Sequence, residues 1–167
     1  MKNFHNDLQI EEDLKHQNSA WRFQRIGMAA LVLLIIVSLL GLLGNGPLSS
    51  ASIESSGGKF KVELQSIIRL YSNDVMNIAF NEDLYEKDTL RLLISKTFIQ
   101  AIEIQDIKPA PAEEKDAGDN IEFSFLKKEV INSGLVKINY KFRRYGLEEY
   151  SLSVKNEHAL IKQMVWP

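Results

Sequence analysis

Between Ile26 and Leu43 the chain reads IGMAALVLLIIVSLLGLL, eighteen residues without a charge and with Ser38 as the one polar side chain. As a helix it would extend roughly 27 Å, close to the ~30 Å hydrocarbon core of a bilayer. No other stretch restricts the fold so strongly, and it reads as a transmembrane helix over 26–43. A cleavable secretory signal is the rival reading. Arg22 and Arg25 would supply its basic region, and Ser49, Ser50 and Ala51 would offer small residues for a peptidase. Against it, a signal has a short leader and an apolar run of about 7–15 residues. Here the apolar run is longer, and its leader over 1–25 carries Asp7, Glu11, Glu12 and Asp13. A retained anchor is therefore expected.

The flanks set the orientation. Lys15, Arg22 and Arg25 precede the span, and no basic residue follows it until Lys59. Positive charge is retained on the cytoplasmic side, so the N-terminal side is expected in the cytoplasm of a bacterial inner membrane and the rest of the chain in the periplasm or its equivalent. Trp21, Arg22, Phe23 and Arg25 fall at headgroup depth, where aromatic rings and arginines favour the interface. In the leader, Asn6 and Gln9 have capping-box spacing, which predicts a short helix able to run on into the span.

After the span, Gly44, Asn45, Gly46 and Pro47 stop a helix, and the Ser- and Gly-rich run to Gly58 reads as a flexible tether over 44–58. From Lys59 the period changes to two. KFKVEL, VMNIAF, TLRLLIS, IEFSFL, LVKINYKFR, EYSLSVK and ALIKQMVW are short runs rich in β-branched and aromatic residues, separated by turn signals such as Asn132-Ser133-Gly134 and Lys155-Asn156-Glu157. Seven or eight strands in this length predict an antiparallel β-sandwich of immunoglobulin-like size over 59–167, so the chain is mainly β with one N-terminal helix. KTFIQAIEIQDIKP matches both periods and is left open between strand and helix, and PAPAEEKDAGDN reads as one long exposed loop.

Chemistry is sparse. The net charge is -2 over 167 residues, and the part after the span has the same balance, so no basic footprint points to nucleic acid. The chain has no cysteine, which removes disulfides, thiolate metal sites and a cysteine nucleophile. His5, His16 and His158 form no pair with ligand spacing, and no phosphate-binding glycine loop is present. Glu148 and Glu149 are adjacent and would point to opposite faces of a strand, so they cannot share a substrate. Glu113, Glu114, Asp116, Asp119 and Asn120 bring oxygen ligands together but lack the spacing of a calcium loop. No cofactor or metal site is expected. On LVKINYKFR, Lys137, Lys141 and Arg143 share one face with Asn139 between them, while Val136, Ile138, Tyr140 and Phe142 share the other, which makes the basic face a candidate interaction patch.

The order of these features, WRFQRIG before the span, LGLLGNGPLS leaving it, KFKVELQSIIRLYS opening the β-rich part and MVWP closing the last strand, resembles small bacterial single-pass proteins of unassigned function that accompany YetF-like multi-span membrane proteins. Tryptophan stands in QMVWP where the resemblance implies tyrosine, and the leader is more acidic than it implies. The resemblance implies a membrane-protein partner and supplies no site residue. The expectation is a non-catalytic accessory or interaction subunit of a membrane complex; the alternative is a tethered binding module for a small ligand or an envelope polymer.

Overall fold

The computed structural model describes residues 14–39 and 49–167, and the helix side chains from Ser19 onward. Two compact units result, a helix and a β domain. The expected capping box at Asn6 and the turn at 44–47 lie outside the described residues.

Helix α1 runs without a break from Leu14 to Leu39, so the leader helix and the apolar run are one element. Its segment Ser19–Leu39 has a mean hydropathy of 1.8 and is long and apolar enough to cross a membrane. Its apolar side chains are exposed all round, from Ile26 at 65% to Leu39 at 75%, as in a helix whose solvent is lipid.

The β domain is a sandwich of two sheets. One sheet has the order β1 (Ser50–Glu54), β2 (Phe60–Gln65), β4 (Asp74–Phe80), β9 (Val136–Phe142) and β6 (Ile102–Lys108). The other has β3 (Ile67–Arg69), β11 (Glu157–Trp166), β10 (Gly146–Val154), β5 (Thr89–Ser95), β8 (Asn120–Leu126) and β7 (Glu113–Ala117). Strict alternation drives the packing. Phe60, Val62, Ile78, Leu92, Phe123, Ile138, Leu152 and Ile161 face the space between the sheets and are buried, while their neighbours face out.

Four sequence expectations change. The tether is corrected in its second half: Ser50–Glu54 is an edge strand paired with β2 from Ser50↔Gln65 to Glu54↔Lys61, so the domain begins well before Lys59. The sheets are not wholly antiparallel, because β3 runs parallel to β11. KTFIQAIEIQDIKP is both of its alternatives in turn, helix α2 (Lys96–Ala101) and then β6. The long loop contains β7, which closes a hairpin on β8 through Gly118. A third helix, α3 (Lys127–Ser133), ends at Gly134, whose left-handed φ of 76° lets its N–H reach the carbonyl oxygens of Val130 and Ile131.

Strand directions define two ends. Ser49 leads into β1 at the end where β4 begins, β9 and β11 finish and β10 starts; this is called the proximal end. At the distal end, Glu157 Oε2 accepts from Ser55 Oγ at 2.9 Å and from the Gly57 N–H at 2.6 Å, which holds its carboxyl below the ordinary value. A Cβ on Gly57 would collide with that carboxylate and push the Glu157 side chain aside.

Candidate functional site

Of the residues expected to form an interaction patch, Lys137 and Lys141 share the outer face of β9 and Arg143 follows its last residue; β6 sets charges of both signs alongside, with Lys108 opposite Lys137. β6 pairs beside β9 with Glu103 opposite Lys141 and Asp106 opposite Asn139. Arg143 Nη2 lies 3.3 Å from Glu103 Oε2, and Lys108 Nζ lies 3.1 Å from Asp106 Oδ2. Glu103 is held below the ordinary carboxylate range by hydrogen bonds from Gln105 and Arg143. Lys137, Lys141 and Arg143 therefore belong to a mixed-charge surface.

Trp21, Arg22, Phe23 and Arg25 of α1 are exposed, and the Arg25 guanidinium sits 3.5 Å from the centre of the Trp21 ring, one turn away. Glu148 and Glu149 do face opposite ways. Glu148 is buried and takes both ends of Arg144 at 2.7 and 2.6 Å, while Glu149 lies outside, 3.1 Å from Lys162. The acidic residues of the former loop are spent on local pairs, Asp116 with Lys96 at 2.7 Å and Glu113 with Lys115 at 2.8 Å. Among the described residues, no group of three or more His, Asp or Glu side chains is placed to hold a metal.

The most developed polar site uses residues that no sequence motif joins. Near the proximal end, Asp74 of β4 pairs in register with Tyr140 of β9, and both face the interior. Across the sandwich, Tyr150 of β10 and Gln163 of β11 occupy inward positions of their own strands. The Tyr150 hydroxyl donates to Gln163 Oε1, and Gln163 Nε2 donates to Tyr140 Oη at 3.0 Å and to the Gln65 carbonyl at 2.6 Å. The Tyr140 hydroxyl has two acceptors in reach, and the carboxylate Asp74 Oδ2 at 2.7 Å is nearer than Gln163 Oε1 at 3.2 Å. Phe98 of α2 stacks on Tyr150 at 3.9 Å and meets Tyr140 edge-on at 5.3 Å, closing the apolar side of the network.

Electrostatics follow from burial. Removal from water raises the Asp74 carboxyl above its ordinary value, and hydrogen bonds from Tyr140, the Val75 N–H and Gln163 oppose that rise without cancelling it. Both tyrosine hydroxyls are pushed well above 10, chiefly by burial, so they keep their protons and act as donors.

Asp74 also lies on a cleft. Pairing between β2 and β4 runs from Phe60↔Phe80 to Glu63↔Asn77 and stops. Beyond that point the strands separate, because the Gln65 carbonyl turns to Gln163 of the other sheet. The gap is a cleft of about 470 Å³ bordered by Ser50, Ser52, Glu63, Asn73, Asp74 and Asn77. The Asn77 side-chain oxygen is buried and has no hydrogen-bond partner among the described residues. A sequence signal for the network does exist: Tyr140, Tyr150 and Gln163 are polar groups in the apolar phase of alternating strands. Nothing local indicates that they meet.

Compared with known proteins, the chain matches no family model, no curated protein and no solved structure.

Proposed function

We propose that this chain is a membrane-anchored, non-catalytic accessory subunit whose sandwich holds a neighbouring membrane protein on the extracytoplasmic side of a bacterial inner membrane. The observation that carries this reading is the Asp74 cleft: a recess on the domain surface bordered by the hydroxyl groups of Ser50 and Ser52 and the carboxyl groups of Glu63 and Asp74. Its chemistry suits a donor-bearing segment, such as a lysine, an arginine or exposed backbone N–H groups, of the partner. By resemblance alone, a YetF-like multi-span protein is that partner. The positive flank of the helix supports a cytoplasmic N-terminal side.

Purification from native membranes in mild detergent tests the reading. A stoichiometric membrane protein should accompany the unmodified chain and be lost when Ser52→Trp fills the cleft; purification of the chain alone would count against it. A second reading, a binding module for a small donor-rich ligand or an envelope polymer, is favoured by the openness of the same cleft to solvent. It predicts that Ser52→Trp leaves every protein contact intact and abolishes retention on immobilised envelope polymer.

A further inference from the structure

The exposed aromatic side chains of the sandwich gather at one end. Among the described residues of the domain they are Tyr71, Tyr145 and Trp166, exposed at 66%, 70% and 55%. Backbone pairing places them together. Trp166 pairs with Arg69 and Met164 with Ile67 across β3 and β11, while Leu147 pairs with Met164 across β10 and β11. The Leu70 N–H donates to the Trp166 carbonyl at 2.6 Å, and the Tyr71 N–H donates to the Phe142 carbonyl at 3.2 Å, three residues before Tyr145. Leu147 and Met164 are exposed beside them.

This is the proximal end. The Ser66 N–H donates to the Ser49 carbonyl at 2.6 Å, and the Met164 N–H donates to the Ser66 carbonyl at 2.8 Å, so the chain joins the domain beside the apolar group. Only residues 40 to 48 separate α1 from Ser49, and ten peptide steps span at most about 35 Å. The distal end exposes Leu126 and Ile131 but no aromatic side chain among the described residues.

Ring systems with a polar tip, interleaved with arginine and flanked by Leu and Met, have the composition of a membrane–water interface. Arg143 and Arg144 are matched by Glu103 and Glu148, whereas Arg69, beside Trp166, makes no ion pair among the described residues. We infer that the proximal end of the sandwich rests on the lipid headgroup layer, with Trp166, Tyr71 and Tyr145 at the polar–apolar boundary and Arg69 against an anionic phosphate. A lipid surface suits the group because polar-tipped rings and an arginine without an ion pair among the described residues stand beside exposed Leu147 and Met164, and the chain coming from α1 enters the domain at this end. The inference rests on the membrane anchor of the proposed function and is independent of which side the domain occupies.

The absence of cysteine allows single labels. Tyr71→Cys, Tyr145→Cys and, as a distal control, Ile131→Cys are made in the full chain. Each is labelled with a small fluorophore and reconstituted in vesicles of phosphatidylethanolamine and phosphatidylglycerol carrying a shallow spin-labelled lipid quencher. Labels at 71 and 145 should be quenched several-fold more than the label at 131, and Arg69→Gln should reduce the difference. Equal quenching at the three positions would overturn the inference. So would labels at 71 and 145 shielded from both lipid and aqueous quenchers, which would mean contact with a second copy. Trp166 fluorescence in a Trp21→Phe chain reads the same contact without touching Tyr71 or Tyr145. Carbonate extraction of the vesicles reports on the anchor alone: chain in the wash overturns anchor and inference together, and chain in the pellet with unquenched labels overturns only the headgroup contact.

Discussion

Replacing Tyr140 with phenylalanine removes one hydroxyl from the centre of the sandwich and leaves its ring contacts with Phe98 and Phe142 in place. Tyr140 is fully buried and Asp74 nearly so, which leaves the carboxylate only its cleft side for a replacement donor. Asp74 Oδ2 then keeps Gln163 Nε2 at 3.5 Å as its remaining side-chain contact, a long one. A hydrogen bond to a charged group contributes roughly 1.5–3 kcal/mol and a neutral one about 0.5–1.5. Y140F should therefore cost about 1.5–3 kcal/mol at neutral pH, a large part of the roughly 5–15 kcal/mol that holds a domain together. As pH falls through the raised value of the Asp74 carboxyl and the group becomes neutral, the cost should fall toward the neutral range. In an Asp74→Asn background it should be in that range at every pH, leaving a coupling of about 1 kcal/mol at neutrality. Urea unfolding of a fragment beginning at Ser49, followed by circular dichroism, measures all four corners of the cycle. A Y140F cost that is independent of pH and unchanged by Asp74→Asn would refute the assigned direction of the network, in which the tyrosine proton points at the carboxylate.

Three further outcomes are expected. The raised carboxyl of Asp74 means that the fold prefers the neutral acid, so its contribution is complete below the ordinary value of 3.8 and is lost as pH rises through the raised one; Asp74→Asn should match the unmodified domain in acid and exceed it at neutral pH, and an Asn variant that loses stability only on the alkaline side would contradict this. A fragment beginning at Gly58 lacks β1 and with it the packing of Ile53, about 1–2 kcal/mol of apolar burial, so it should melt lower than one beginning at Ser49, with equal melting temperatures as the contrary result. Arg22→Gln with Arg25→Gln removes most of the positive flank, and a reporter fused after Pro167 that works only outside the cytoplasm should pass from uniform activity to a mixed population; a unmodified fusion active only in the cytoplasm would reverse the topology.

The parts of the fold legible in the sequence are those with a strong local period. The apolar run announces α1, and the alternation of FKVELQ, VKINYKF and EHALIKQMVW announces β2, β9 and β11 with the correct faces inward. β1 was hidden because SASIE has small side chains inside a Ser-rich run and becomes a strand by pairing with β2. β7, EEKDA, is exposed along its whole length and carries no alternation; its hairpin with β8 creates it. The parallel pairing of β3 with β11 joins residues almost a hundred positions apart, beyond the reach of any local signal. The same distance conceals the site. Asp74 sits in a stretch that reads as a turn, and its partners Tyr140 and Gln163 lie in other strands, so their hydrogen bonds exist only after the sheets have stacked. The basic face of β9 was legible as a face, while the charges set beside it, Glu103, Asp106 and Lys108, depended on which strand lay alongside.

Site-specific photo-crosslinking in living cells tests the central claim most directly. With a benzoylphenylalanine replacing Lys61, which lies outside the cleft beside its rim residue Glu63, irradiation should give one predominant adduct with an integral membrane protein; the same residue replacing Leu126, at the distal end of β8, should not. Absence of any adduct at Lys61, or the same adducts from both positions, would contradict an accessory subunit that holds its partner through the Asp74 cleft.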